Sequence, residues 1–112
     1  MDSIGKKNST AIISLISYTE LLVGIFKKEN TELLTSVRAF FENNPFINIQ
    51  DFRIEIAEHA AKIRNRTDLG LADSIIIATA QSSKAKYLIT NDKKMLKAQN
   101  FGVEVILLDE LI

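Results

Sequence analysis

Leu69-Gly-Leu-Ala-Asp-Ser-Ile-Ile-Ile-Ala-Thr-Ala80, followed closely by Tyr87-Leu-Ile-Thr-Asn-Asp92, decides how this chain is read. A glycine precedes the apolar run of the first segment, and Asp73 falls in its opening turn. Ile75, Ile76, Ile77, Ala78 and Ala80 continue it, which predicts a buried helix from about Leu71 to Ser83. The second segment is a short apolar strand, Tyr87 to Thr90, that exits into Asn91-Asp92. A helix with one acid at its start therefore feeds a strand with another acid at its end.

Working outward, Ala11 to Ile16 is a β-branched apolar run that suits a buried strand. Ser17-Tyr-Thr-Glu20 has capping-box spacing, with Leu21, Leu22, Val23, Ile25 and Phe26 behind it and Lys27-Lys28 closing the helix. Thr31 is the expected cap of a second helix carrying Leu33, Leu34, Val37, Phe40 and Phe41, stopped by Asn43-Asn44-Pro45. Phe46 to Ile49 alternates as a strand. Asp51 is the expected cap of a third helix, whose stripe is Ile54, Ala57, Glu58, Ala61 and Arg64. Beyond Asp92 the pattern gives a short helix Lys93 to Ala98, a turn at Asn100 to Gly102 and a last strand Val103 to Leu107. Strands alternating with helical segments predict an α/β domain with a mostly parallel sheet over residues 11–112, behind a polar, flexible lead over residues 1–10.

The 112 residues suit one domain. With 46% hydrophobic and 25% charged residues the chain is an ordinary globular protein rather than a disordered one. Fourteen basic residues balance fourteen acidic ones, so no bulk positive field argues for nucleic acid. The absence of cysteine excludes disulfides and thiolate metal sites and fits a cytoplasmic location. No apolar run approaches the ~20 residues of a membrane span, and no glycine-rich phosphate loop is present.

In a parallel sheet the helix starts and strand exits share one rim, where open α/β folds bind ligands. Glu20 follows the first strand, Asp73 opens the helix leading to the third, and Asp92 lies two residues past that strand. Three carboxylates on one rim repel one another unless a cation joins them. Oxygen donors without His or Cys point to Mg²⁺ or Mn²⁺, and such an ion suits phosphodiester hydrolysis. Each acid also has a structural role open to it: Glu20 closing a capping box, Asp73 facing a helix dipole, and Asp92 capping the helix at Lys93.

Gly-Leu-Ala-Asp-Ser-Ile-Ile-Ile-Ala-Thr-Ala (70 to 80) and Leu-Ile-Thr-Asn-Asp (88 to 92) resemble the second half of PIN-domain proteins, many of them VapC-like ribonuclease toxins of toxin–antitoxin pairs. Ile13-Ser-Leu-Ile-Ser-Tyr-Thr-Glu-Leu-Leu-Val-Gly24 is similar to that family's strand, acidic residue and following glycine, and Phe101 to Leu108 to its closing strand. The resemblance implies a three-layer α/β/α fold and metal-dependent cleavage of RNA by about four acids. Glu20, Asp73 and Asp92 match three of these as catalytic and metal-binding residues, with Thr90 and Asn91 as polar support. It also implies an antitoxin partner and a homodimer.

The departure from the family is its first strand, which lies mid-sheet and ends in an aspartate. Nothing comparable precedes Ala11: Asp2 follows no apolar strand, and only eight residues separate it from Ala11. Three or four apolar side chains of a central strand are worth on the order of 6–8 kcal/mol, against about 5–15 kcal/mol for a whole domain. The expectation is that the flanking strands close up, the sheet rearranges, or another chain donates a strand. The alternative function is then a catalytically impaired relic that serves as a protein-binding module.

The only histidine, His59, reads as a solvated helix residue, and Phe26, Phe40, Phe41, Phe46 and Phe52 read mostly as core. Lys84, Lys86, Lys93, Lys94 and Lys97 cluster around the strand that ends at Asp92, either as a solvated edge or as a guide for RNA phosphates. The first two helices are apolar over more than one stripe, which suits extra core or a groove for an antitoxin segment.

Overall fold

Four strands of four residues each carry the fold: β1 (Ala11–Ser14), β2 (Ile47–Gln50), β3 (Tyr87–Thr90) and β4 (Glu104–Leu107). In the computed structural model, which describes residues 11–111, they form one sheet of order β2-β1-β3-β4 with every neighbouring pair parallel. The expected lead over residues 1–10, with Asp2, lies outside the described residues. Parallel neighbours require crossovers, which the helices supply. α1 (Leu15–Lys27) and α2 (Thr31–Glu42) link β1 to β2, and α3 (Ile54–Arg66) and α4 (Leu71–Ser83) link β2 to β3. A run of 3₁₀ turns, Lys93–Phe101, links β3 to β4 and ends at Gly102, whose φ of 82° is the left-handed conformation glycine accepts freely.

The pleat sorts the core into two layers. Ile12, Leu88 and Val105 face α3, α4 and the 3₁₀ run, where Ile56, Ala60, Ile63, Ile76, Ile77, Met95 and Ala98 are buried. Ala11, Ile13, Tyr87, Ile89 and Ile106 face Tyr18 and Leu21 of α1 and Phe40 and Phe41 of α2. The result is the expected three-layer α/β/α arrangement.

The flanking strands have closed up. β1 pairs with β3 where the resemblance places a central strand, but only through Ala11–Tyr87 and Ile12–Leu88. The β1–β2 and β3–β4 pairs each run through four positions, so the central seam is the shortest in the sheet.

Local chemistry shifts several expected starts. Ser14, not Ser17, caps α1, its hydroxyl accepting the Ser17 N–H at 3.0 Å. Leu15 and Ile16 therefore belong to the helix, because an apolar run alone does not separate a strand's end from a helix's first turn. Asn30 rather than Thr31 caps α2, accepting the Leu33 N–H at 3.0 Å. α3 begins at Ile54 with no side-chain cap, so Asp51 does not serve.

The buried stripe of α3 is Ile56, Ala60 and Ile63, while Ile54 is 77% exposed and Ala57, Glu58, Ala61 and Arg64 also face solvent. Both stripes have helical spacing. The buried one carries two isoleucines against one, so burying it removes more apolar area from water.

Phe26, Phe46 and Phe52 are exposed rather than core, the buried positions being held mostly by isoleucine and alanine. Phe40 and Phe41 are half-buried, with Phe41 edge-on to Tyr18. His59 is half-buried rather than solvated. Its Nε2 lies 2.6 Å from Gln81 Oε1, and the Gln81 amide donates to the Phe101 carbonyl, tying α3, α4 and the 3₁₀ run together.

Candidate active site

A cleft of about 650 Å³ opens between α1, α2 and the segments that follow β3 and β4. One part of its lining is acidic and polar: Glu20 and Ser17 from α1, Thr90, Asn91 and Asp92 at the end of β3, and Asp109 after β4. The rest is apolar, with Leu21 and Ile25 of α1, Leu33 and Val37 of α2, and Leu108. Gly24 and Lys28 complete the α1 side.

Each acid is set by its local fold. Because Ser14 closes the start of α1, Glu20 has no capping duty and stands exposed on the cleft side of the helix. Asp92 does cap: its Oδ1 accepts the Lys94 N–H at 2.9 Å, which fixes the carboxylate at the exit of β3. The buried Thr90 hydroxyl accepts the Asp92 N–H at 3.2 Å and so holds this turn from below. Asn91 is exposed beside it. Glu20 and Asp92, with Thr90 and Asn91, therefore line one cavity.

Asp73 stands apart from them. It occupies the first turn of α4, whose N-cap Gly70 has no side chain to offer, so Asp73 supplies the negative charge that the helix dipole favours. Its Oδ2 lies 2.8 Å from Lys97 Nζ on the 3₁₀ run. Asp73 is not among the residues that line the cleft. Among the described residues, no three His, Cys, Asp or Glu side chains lie close enough to hold a metal ion together.

Asp109 was not nominated from the sequence, although a signal for it was there. It lies two residues past the end of β4, as Asp92 lies two past β3, and parallel strands bring such positions to one rim. His59 belongs to the α3–α4 layer and takes no part in the cleft. The donors that do line it are carboxylate, amide and hydroxyl oxygens, the kind a hard divalent cation takes. Magnesium needs only one or two protein carboxylates because it keeps several waters. Glu20 and Asp92 fit such an ion in kind and number.

Comparison with known proteins follows the same lines. A model of the PIN domain family matches residues 2–100. A toxin–antitoxin complex from Klebsiella pneumoniae is similar at a TM-score of 0.58 and 32% identity, covering 76% of this chain and 65% of that one. VapBC2 from Rickettsia felis, bound to a DNA fragment from its promoter, is similar at 0.64 and 25% identity, covering 90% and 76%. This chain thus spans slightly less than two thirds of the first of these. No curated protein matches it.

Proposed function

Since the chain belongs to the PIN domain family, we propose that it is a divalent-metal-dependent endoribonuclease, the toxin of a VapC-type toxin–antitoxin pair. The observation that carries this reading is the cleft at the carboxyl ends of a parallel sheet, with Glu20 and Asp92 in its wall. Ribonuclease activity with a divalent cation is general to the family.

Glu20 and Asp92 would hold Mg²⁺ or Mn²⁺, with waters completing the shell. Such an ion makes a bound water a better nucleophile and offsets charge on the scissile phosphate. The chain's own groups do the rest. Thr90 and the backbone of Lys94 fix the Asp92 carboxylate, and Asn91 offers an exposed amide to a phosphate oxygen or the attacking water. Lys28, on the same wall, attracts the RNA backbone by charge. The apolar lining from Leu21, Ile25, Leu33 and Val37 excludes water from the bound strand.

The two structural neighbours named above are toxin–antitoxin complexes, which supports an antitoxin as partner. Val23 and Phe26 leave apolar surface exposed on α1 for an antitoxin segment, and we extend the proposal to a homodimer in the cytoplasm. Among the described residues no helix is long and apolar enough to cross a membrane.

The test is cleavage of a panel of RNAs with Mn²⁺, with Asp92→Asn as the control. Cleavage that needs both Mn²⁺ and Asp92 supports the proposal. Cleavage indifferent to the substitution removes it.

A second reading has its own support. Asp73 is neutralised by Lys97, and no three acidic or imidazole ligands meet among the described residues. A chain that binds its antitoxin but cleaves no RNA in that panel is a protein-binding module.

A further inference from the structure

Five polar residues are buried among the described residues: Ser14, Ser17, Ser74, Thr79 and Thr90. Ser74 and Thr79 lie within α4, where each hydroxyl donates to the backbone carbonyl four residues back. The other three gather where β1 and β3 part. Their pairing stops at Ile12–Leu88, and the same register carried on by two residues sets Ser14 opposite Thr90. Ser17 follows in the first turn of α1. Ser14 uses its hydroxyl in both senses, accepting the Ser17 N–H at 3.0 Å and donating to Ser17 Oγ at 3.2 Å. Ser17 therefore accepts, but its own proton has no acceptor among the described residues. Thr90 is in the same position: its Oγ1 accepts the Asp92 N–H at 3.2 Å, and its proton is likewise unclaimed. Ser17 and Thr90 are only 7% and 2% exposed, yet both line the cleft. A ligand that fills this part of the cleft must offer an acceptor or leave buried donors unpaired, which is costly.

We propose that Ser17 and Thr90 bind the ribose 2′-hydroxyl of the strand in the cleft, so that the cleft selects RNA over DNA. The inference rests on the ribonuclease reading above and adds to it the feature of RNA that is recognised. The choice between sugar and phosphate turns on charge. Glu20, Asp92 and Asp109 stand in the same wall, and their charge opposes a phosphate wherever a cation does not offset it. A 2′-hydroxyl is neutral and both accepts and donates. It takes a proton from Ser17 or Thr90 and offers its own to a carboxylate of that wall. Deoxyribose has no such group, so a DNA strand leaves both buried donors unpaired. Sites built to bond a substrate hydroxyl reject the analogue lacking it for this reason.

The experiment is fluorescence anisotropy with the single-stranded RNA panel and DNA of the same sequences, in EDTA so that no metal-dependent cleavage occurs. The parent should bind RNA more tightly than DNA. Ser17→Ala should cut that ratio about fivefold, the scale of one neutral hydrogen bond, by weakening RNA binding alone. It keeps the α1 cap, because Ser14 Oγ still accepts the backbone N–H. Thr90→Val should cut the ratio similarly. It also frees the Asp92 N–H, but that acts on both strands, so the ratio is the readout. Thr90→Ser, which keeps the hydroxyl, should restore the ratio. Circular dichroism checks that each variant is folded, and Ser17→Ala carries the test should Thr90→Val not fold. If Ser17→Ala weakens RNA and DNA equally, the hydroxyls hold the phosphate backbone and the proposal is overturned. If the parent binds RNA no better than DNA, it is overturned as well. The ribonuclease reading is judged apart from both, by Mn²⁺-dependent cleavage of the same panel.

Discussion

Asp92 carries two duties that one pair of substitutions separates. Its Oδ1 caps the 3₁₀ run through the Lys94 N–H at 2.9 Å, and its charge serves the proposed metal site. Asparagine caps as well as aspartate does, whereas alanine does not, and loss of a cap costs roughly 0.5–2 kcal/mol. The residue is exposed and a single bond is at stake, so Asp92→Ala should lose about 0.5–1 kcal/mol and Asp92→Asn nearly nothing. For a chain of this length about 1 kcal/mol moves the melting temperature by about 4 °C. Asp92→Ala should then melt about 2–4 °C lower. Both variants should lose at least about 100-fold in Mn²⁺-dependent RNA cleavage, beyond what removal of an outer-shell partner typically does. Thermal melts by circular dichroism and a gel assay of cleavage measure the two effects. Equal melting of the two variants would refute the capping argument. Cleavage by Asp92→Asn at the parent rate would refute the charge argument.

Four further outcomes follow from the same geometry. Glu20→Gln should abolish cleavage and leave urea unfolding within about 0.5 kcal/mol of the parent, because Ser14 and not Glu20 closes the start of α1. Ser14→Ala should cost about 1–2 kcal/mol in the same unfolding experiment, since its buried hydroxyl accepts the Ser17 N–H. Leu88→Ala should cost about 2–5 kcal/mol, because Leu88 is wholly buried and sits in the two-residue β1–β3 seam. Gly24→Ala should raise stability by about 0.5–1 kcal/mol, as an added methyl meets nothing within 4 Å. That methyl also narrows the cleft that Gly24 lines, so cleavage should weaken as the fold strengthens, which paired melts and activity assays will show.

The sequence by itself determined the alternation of strands and helices, the bounds of α4, and the position of β3, because periodicity and end signals are local properties of the chain. It also identified Glu20 and Asp92 as rim residues, since a parallel sheet fixes where helix starts and strand exits fall. It did not settle which of two equally spaced stripes α3 buries. That is decided by the total area that Ile56 and Ile63 bring to the α4 layer, a sum over partners far away in sequence. Nor did it decide that β1 closes onto β3, or that Asp73 turns to Lys97. Parallel pairing and a salt bridge between segments 24 residues apart exist only once the helices have folded the chain back on itself.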